Sequence, residues 1–324
     1  MLQVGADSDL SWLLLLLGVV VLLSVLLFNL RERRVLHRSR VLQTEPVMEP
    51  LSDAPVLHSG PAMGGDLQAQ LERQSAFHPN LMASVNLLER PVGSLPEDFL
   101  LAASSLVRVG NKTAAVRVVR SDSDSIQAVQ FGLVLANRLG PLSLPDYEAW
   151  VASALRLRQL LGADEELLLP SFAELHAQSR DAERRLHALD GQMVLHVLAA
   201  PPTDAQIAGW AHSVGLQPRA GRHFSRLDDQ DLVKYSFGPG DQGRALSAIL
   251  DLPRTSLPER AYREMVDDLQ SAVDSFGGSI VDESNRPLVR EDLDLIERQV
   301  AERAEDLRSA GLEPGCWMAR AIYV

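Results

Sequence analysis

The longest apolar run in the chain covers residues 10–30, LSWLLLLLGVVVLLSVLLFNL, and it contains no charged residue. A helix needs about 20 such residues to cross a bilayer, so this run predicts one membrane-spanning helix. Asp7 and Asp9 precede the run, whereas five arginines follow it within residues 31–40. Under the positive-inside rule, this asymmetry places residues 1–9 in the periplasm and the rest of the chain in the cytoplasm.

A basic flank and a linker occupy residues 31–76. Prolines and glycines interrupt this stretch repeatedly, and no apolar periodicity persists before residue 67. Such a composition is typical of a flexible tether rather than a packed domain.

Regular alternation begins after the linker and defines a first unit, residues 77–190. Apolar residues recur at every second position in three segments and at helical spacing in three others. The predicted strands are 81–88, 113–119 and 126–136, and the predicted helices are 96–106, 145–161 and 171–189.

A second unit, residues 191–324, repeats this order of elements. It adds a short strand before its last helix, and the Gly277-Gly278 pair suits the left-handed end of a helix. The predicted strands are 193–199, 232–237, 245–252, 279–281 and 317–324, and the predicted helices are 203–214, 258–276 and 290–310.

The two units also share a local motif. Ser-Leu-Pro followed by acidic residues begins a predicted helix near residues 94, 143 and 256, and proline suits the first helical position. We therefore predict an α+β protein with duplicated split β-α-β units, antiparallel sheets and helices on one face of each sheet. The pattern leaves open whether strand 193–199 closes the first sheet or opens the second.

Composition narrows the range of functions. The formal charge of −12 argues against a nucleic-acid surface, which needs a basic stripe. The arginines after the apolar run suit anionic lipid headgroups, although setting the orientation of the span is sufficient reason for them. Cys316 is the only cysteine, so no disulfide can form within the chain, and we expect it to be a small buried strand residue.

The sequence offers no constellation for catalysis. It contains no glycine-rich phosphate loop and no HExxH pair, and its eight histidines are scattered. His196 lies inside an apolar strand, where a hydrogen-bonded core residue is a better interpretation than a base. We therefore expect a protein that is not an enzyme and that uses neither metal nor cofactor.

Alternation along the second unit predicts one open sheet face. In strand 232–237 the bulky residues Val233, Tyr235 and Phe237 form the inner set, and strand 245–252 leaves Ser247, Ile249 and Asp251 outside. Strand 193–199 is apolar on both faces. It therefore either borders a hydrophobic groove on the open face or is covered there by the first unit.

Several segments together resemble the ZipA family of cell-division proteins. The chain order of short N-terminus, membrane span, basic flank, proline-containing linker and terminal split β-α-β unit is similar to that family. MVLHVLAA resembles its opening strand, and LVKYSFGPG with ALSAILDLP resembles its hairpin. VDSFGGSIVDESNRPLVREDL is similar to its passage from a helix end through a short strand and a turn to the last helix. The resemblance covers about residues 192–307 and the anchor.

The resemblance implies a non-enzymatic membrane tether for FtsZ, the tubulin-like division GTPase, at the division site of a bacterial inner membrane. Residues 191–324 would be the FtsZ-binding domain, gripping the C-terminal tail peptide of FtsZ in a groove on the open sheet face. Matched by strand, the implied groove comprises Met193, Leu195, Val197, Lys234, Ser236, Ser247, Ile249 and Asp251. The alternative is a membrane-tethered scaffold or regulator that uses the same fold to bind another peptide or to form a homodimer.

Overall fold

The computed structural model describes residue 71 and residues 76–88, 92–121, 125–163, 166–240 and 244–324. All of these belong to one compact unit, His58–Val324. They form seven α-helices and antiparallel sheets, which confirms the predicted α+β class. None of these helices is long and apolar enough to cross a bilayer, and the predicted span at 10–30 lies outside the described residues.

The first half of the described chain contains a four-stranded sheet, a small hairpin and three helices. In chain order they are β1 (Met82–Leu88), α1 (Glu97–Ser105), β2 (Arg108–Val109), β3 (Lys112–Arg120), β4 (Ile126–Val134), β5 (Ala136–Asn137), β6 (Gly140–Pro141), α2 (Leu144–Leu160) and α3 (Phe172–Leu189). The strand order of the sheet is β1-β4-β3-β2, and β5 pairs with β6.

The second half contains a six-stranded sheet and four helices. They are β7 (Gln192–Leu198), α4 (Asp204–Ser213), β8 (Gln217–Pro218), β9 (Phe224–Leu227), β10 (Val233–Pro239), β11 (Arg244–Asp251), α5 (Pro258–Phe276), β12 (Ser279–Val281), α6 (Arg290–Ser309) and α7 (Trp317–Ile322). The strand order is β12-β7-β11-β10-β9-β8.

Both sheets use the same connection. β1 and β3 each pair antiparallel with β4, so they run parallel to each other with β4 between them. β7 and β10 flank β11 in the same way, and in each sheet a helix links the outer two of these three strands. Because β7 pairs with β11 and β12, the predicted strand 193–199 opens the second sheet.

The Gly277-Gly278 pair ends α5 as the sequence predicts. Gly277 has a positive φ and donates its N–H to the carbonyl of Val273 at 2.7 Å. At Gly278 an added Cβ would lie 2.0 Å from the carbonyl oxygen of Leu198, so only glycine lets β12 approach β7 here.

The shared Ser-Leu-Pro motif does not produce the same helix start each time. Ser143 caps α2 with its side chain, accepting the N–H of Asp146, which in turn accepts from the backbone of Ser143. In α5 the residue before the helix is Leu257, which is left-handed and caps nothing with its side chain. The motif alone is therefore weak evidence of duplication.

The predicted strand 317–324 is wrong, because these residues form helix α7. Its buried residues Met318, Ala321 and Ile322 recur at helical spacing, and Cys316 is not a strand residue but the N-cap, accepting the N–H of Ala319 at 3.4 Å. A short apolar run is compatible with helix or strand, and here the alanines and the cap favour the helix.

Two hydrophobic cores lie beside the two sheets. The core of the first sheet includes Phe131 of β4, Phe99 of α1 and Trp150 of α2. It also contains residues from the far end of the chain and one from the predicted linker, namely Leu307, Leu312, Met318, Ala321, Ile322, Tyr323 and Leu71. The chain end after α6 therefore returns to the first sheet instead of completing the second.

This return predicts that the second half is unstable by itself. A fragment of residues 179–324 leaves Met318, Ile322 and Tyr323 without the sheet and helices that bury them. Exposing a few hundred Å² of apolar surface costs several kcal/mol at about 25 cal/mol per Å². We expect the fragment to melt far below residues 77–324 in a thermal scan. Cooperative melting of both at the same temperature would contradict the shared core.

Candidate functional site

The inner face of the second sheet matches the alternation read from the sequence. Tyr235 and Phe237 of β10 are buried against α4 and α5, as are Leu246, Ala248 and Leu250 of β11. Trp210 of α4 meets Phe237 edge-on, with ring centroids 5.1 Å apart. The inner set of β11 is therefore confirmed, and so are Tyr235 and Phe237 of β10, whereas Val233 lies at a register irregularity and does not join the core.

The pairing of β7 with β11 corrects part of the predicted groove. Leu195 lies opposite Ala248 and Val197 opposite Leu246, and directly opposed residues of antiparallel strands share a face. Leu195 is 2% exposed and Val197 is fully buried, while Met193 packs partly buried against the same core. These three residues therefore point into the core, away from Ser247 and Ile249.

Two further predicted groove residues serve other contacts. Lys234 lies at an irregularity between β9 and β10, and its ammonium forms an ion pair with Glu264 on α5. Asp251 accepts two hydrogen bonds from Arg138, at 2.6 and 3.0 Å. Lys234 thus reaches the helical side of the sheet, and Asp251 belongs to a contact between the two halves.

The remaining predicted residues, Ser236, Ser247 and Ile249, do lie together on the open face. β7 contributes Val194, His196 and Leu198 beside them, because Val194 pairs with Ile249 and His196 with Ser247. We call these six residues the open-face strip. Ile249 is 40% exposed, whereas Val194 and Leu198 are half-buried.

The polar members of the open-face strip are hydrogen-bonded. Nδ1 of His196 lies 2.8 Å from the hydroxyl of Ser247, and Ser236 shares a 2.9 Å hydrogen bond with Ser225 of β9. His196 is buried and hydrogen-bonded, as expected, but it lies on the open face and not in the core. Half of the strip is polar, and Ile249 is its most exposed apolar residue.

A buried polar network lies on the helical side of the same sheet. The hydroxyl of Tyr235 donates to Asp268 of α5 at 2.8 Å, and Arg226 of β9 donates to both oxygens of Asp268 at 2.9 and 3.0 Å. Burial, together with the neighbouring Asp268 carboxylate, raises the pKa of Tyr235 above its ordinary value. The charged and polar groups satisfy one another here, so the network joins α5 to the sheet.

Lys112 is a second buried polar group, in the first sheet. Its ammonium donates to Asn137 Oδ1 at 2.8 Å and to the carbonyl of Gly140 at 2.6 Å. Burial lowers its pKa, although the charges of Asp146 and Glu183 oppose this shift. These hydrogen bonds attach the β5–β6 hairpin to β3.

Within the described ranges, no three His, Cys, Asp or Glu side chains come together in a way that could hold a metal ion. His176 of α3 lies with Nδ1 2.8 Å from the carbonyl oxygen of Leu142.

Comparison with protein-family models and with curated proteins found no match for this chain.

The sequence carried one signal that could have placed β7 correctly. His196 is the only polar residue between Met193 and Leu198, so assigning it to the open face puts Val194 and Leu198 there too. Alternation alone does not predict which face of β7 is buried, because both of its faces are apolar. The orientation is decided by the strand with which β7 pairs.

The corrected orientation predicts that two matched substitutions destabilise the domain to different extents. Leu195→Glu places a charge in the core and should cost the domain on the order of 3–5 kcal/mol. Ile249→Glu introduces the same side chain at an exposed position of the partner strand and should change stability by less than about 1 kcal/mol. Urea unfolding of both variants checks this. Equal losses of stability would show that the face assignment is wrong.

Proposed function

We propose that this chain is a non-enzymatic membrane tether for FtsZ, anchored in a bacterial inner membrane by residues 10–30, with residues 1–9 in the periplasm. In this proposal the described domain lies in the cytoplasm at the division site and binds the C-terminal tail peptide of FtsZ. The apolar run and its arginine flank support the anchor, and the resemblance to the ZipA family supports the partner.

One observation carries the proposal: the segments that resemble the ZipA family occupy consecutive parts of one sheet. MVLHVL lies on β7, and the two hairpin segments lie on the adjacent strands β10 and β11. The third segment runs from the end of α5 through β12 and a turn to α6. In that turn Asp282 accepts the backbone N–H groups of Ser284 and Arg286, both at 2.9 Å.

We place the tail peptide on the open-face strip rather than on the groove expected from the sequence. An apolar peptide side chain would cover Ile249 and the half-buried Val194 and Leu198, which removes apolar surface from water. The hydroxyls of Ser236 and Ser247 offer polar contacts beside it. The strip is small, so its affinity depends on a few residues.

We also propose that the two halves arose by duplication and have since diverged. The repeated strand connection supports this origin. The outer face of the first sheet carries a row of polar side chains, in which Arg117 donates to Gln130 and Gln130 donates to Asn86 at 3.3 and 3.1 Å. This row offers no apolar contact equivalent to Ile249, so we assign peptide binding to the second sheet alone.

The polarity of the open-face strip favours a second candidate function, a membrane-tethered scaffold or regulator. With Ile249 as its most exposed apolar residue, the strip suits a polar peptide or a second copy of the chain as well as an FtsZ tail. Sedimentation of the chain with and without the peptide separates dimer formation from peptide binding.

The proposal predicts that Ile249→Glu weakens binding of the FtsZ tail. Fluorescence anisotropy with a labelled tail peptide, from FtsZ of the same organism, should show a loss of about tenfold or more, since losing about 1.4 kcal/mol of contact energy weakens binding tenfold. Gln127→Glu is the matched control, because it adds the same charge at an exposed position of β4 in the first sheet. Failure of the unmodified chain to bind the peptide would refute the proposal.

A further inference from the structure

The edge of the second sheet beside β7 is only partly covered by β12. Ser279, Ile280 and Val281 pair with Leu198, Val197 and His196, and the chain then turns away at Asp282. Residues Gln192–Leu195 pair with β11 on one side, and no described strand pairs with them on the other side. Within the part of the chain that the structure describes, the first half of β7 is therefore a free sheet edge.

The alternation of hydrogen-bonded pairs along β7 shows which of its backbone groups point to this edge. The N–H of Leu252 donates to the carbonyl of Gly191 at 3.0 Å, which makes that opposed pair a hydrogen-bonded one. Since such pairs alternate along antiparallel strands, Met193 and Leu195 also direct their backbone groups at β11. Gln192 and Val194 direct theirs to the opposite side, where β12 no longer follows.

A cleft of about 700 Å³ opens at this edge. Helix α6 forms one wall with Ile296 and Val300, and the turn after β12 closes one end with Glu283. Among the described residues, the backbone groups of Gln192 and Val194 that face this cleft therefore lie beside Ile296, with the buried Val300 next to it and polar residues along the rest of the α6 wall. An added strand needs both of these features, backbone partners and a place for alternate side chains.

The charge of the cleft indicates which strand would fit. Its charged lining residues are five carboxylates and a single guanidinium, namely Asp190, Asp282, Glu283, Glu302, Asp306 and Arg303. Asp190 is bound by Arg138, and Asp282 by Arg286. Among the described residues, Glu283 and Glu302 have no ion-pair partner within 4 Å, so negative charge remains available.

We propose that this cleft binds an extended basic peptide segment, in which arginine or lysine alternates with an apolar residue, as an added strand on β7. The segment continues the line of β12 and exchanges hydrogen bonds with the backbone of Gln192 and Val194. Its apolar side chains contact Ile296, which lies beside the buried Val300, and its cations approach Glu283 and Glu302. This site differs from the open-face strip and does not depend on FtsZ being the partner of that strip.

The test uses the whole 324-residue chain in an uncharged detergent and a labelled, end-capped probe peptide, RVRVRVRV. We expect saturable binding by fluorescence anisotropy, with no binding of EVEVEVEV. Val194→Pro removes the N–H that faces the cleft, while proline is tolerated at the free side of an edge strand. This variant should weaken the probe about tenfold or more.

Ser84→Pro is the matched control variant. β1 is the edge strand of the first sheet, and the N–H of Leu135 donates to the carbonyl of Leu81 at 2.9 Å. By the same alternation, Ser84 directs its backbone groups away from β4. Its substitution should therefore leave binding of the probe unchanged.

Two modified probes test the mode of binding without altering the protein. In an added strand, only every second backbone amide faces the partner strand. One probe is therefore N-methylated at every arginine and the other at every valine. The probe whose methyl groups face β7 should not bind, and the other should bind as before. This pair decides the matter if Val194→Pro fails to fold. Absence of probe binding, binding insensitive to Val194→Pro in a folded variant, or equal effects of the two methylation patterns would each overturn the proposal.

Discussion

Arg138 holds together four segments that are distant in the sequence. Its side chain donates to both carboxylate oxygens of Asp190, after α3, and to both oxygens of Asp251, at the end of β11. It also donates to the carbonyl of Tyr323 at 2.6 Å and lies 5.3 Å from the centre of that ring. Burial opposes the charge, but these hydrogen bonds outweigh it and raise the pKa of the guanidinium above its ordinary value. One cation thus links the β5–β6 hairpin, the ends of α3 and β11, and the end of the chain.

Arg138, Asp190, Asp251 and Tyr323 form a polar contact between the two halves, although each sheet has its own hydrophobic core. The hydroxyl of Tyr323 donates to the carbonyl of Leu186 in α3, and burial raises the pKa of that hydroxyl, so it remains a donor. Removing one partner from a buried ion pair costs about 3–5 kcal/mol, and the 20% exposure of the Arg138 side chain places the cost towards the lower end. That loss is a substantial part of the 5–15 kcal/mol typical of a domain.

Most of the elements could be predicted from the sequence, because their alternation or helical spacing is strong. Helix α5 and strand β12, for example, have the predicted bounds. The orientation of β7 could not be read from alternation, because both of its faces are apolar and pairing with Ala248 decides it. The short apolar run of α7 fits helix or strand, and its buried residues pack against the core of the first sheet, a distant contact that the local sequence does not reveal. The role of Arg138 likewise depends on partners 52 to 185 residues away.

Only part of the candidate site could be predicted, because alternation is clear in β10 and β11 but not in β7. Ser236, Ser247 and Ile249 lie on the open face because the alternation of β10 and β11 is clear. Leu195 and Val197 do not, and they instead help to form the core that supports the strip. The free edge of β7 appears only once β12 is seen to end at Val281.

The most direct test of the account is amide hydrogen exchange in Arg138→Met, with Arg184→Met as control, since the Arg184–Asp181 ion pair is exposed. If Arg138 couples the two halves, amides of the central strands β4 and β11, such as those of Phe131 and Ala248, should lose the same free energy of protection. The control should leave both unchanged. Loss of protection in one sheet alone, or in neither, would contradict the coupling.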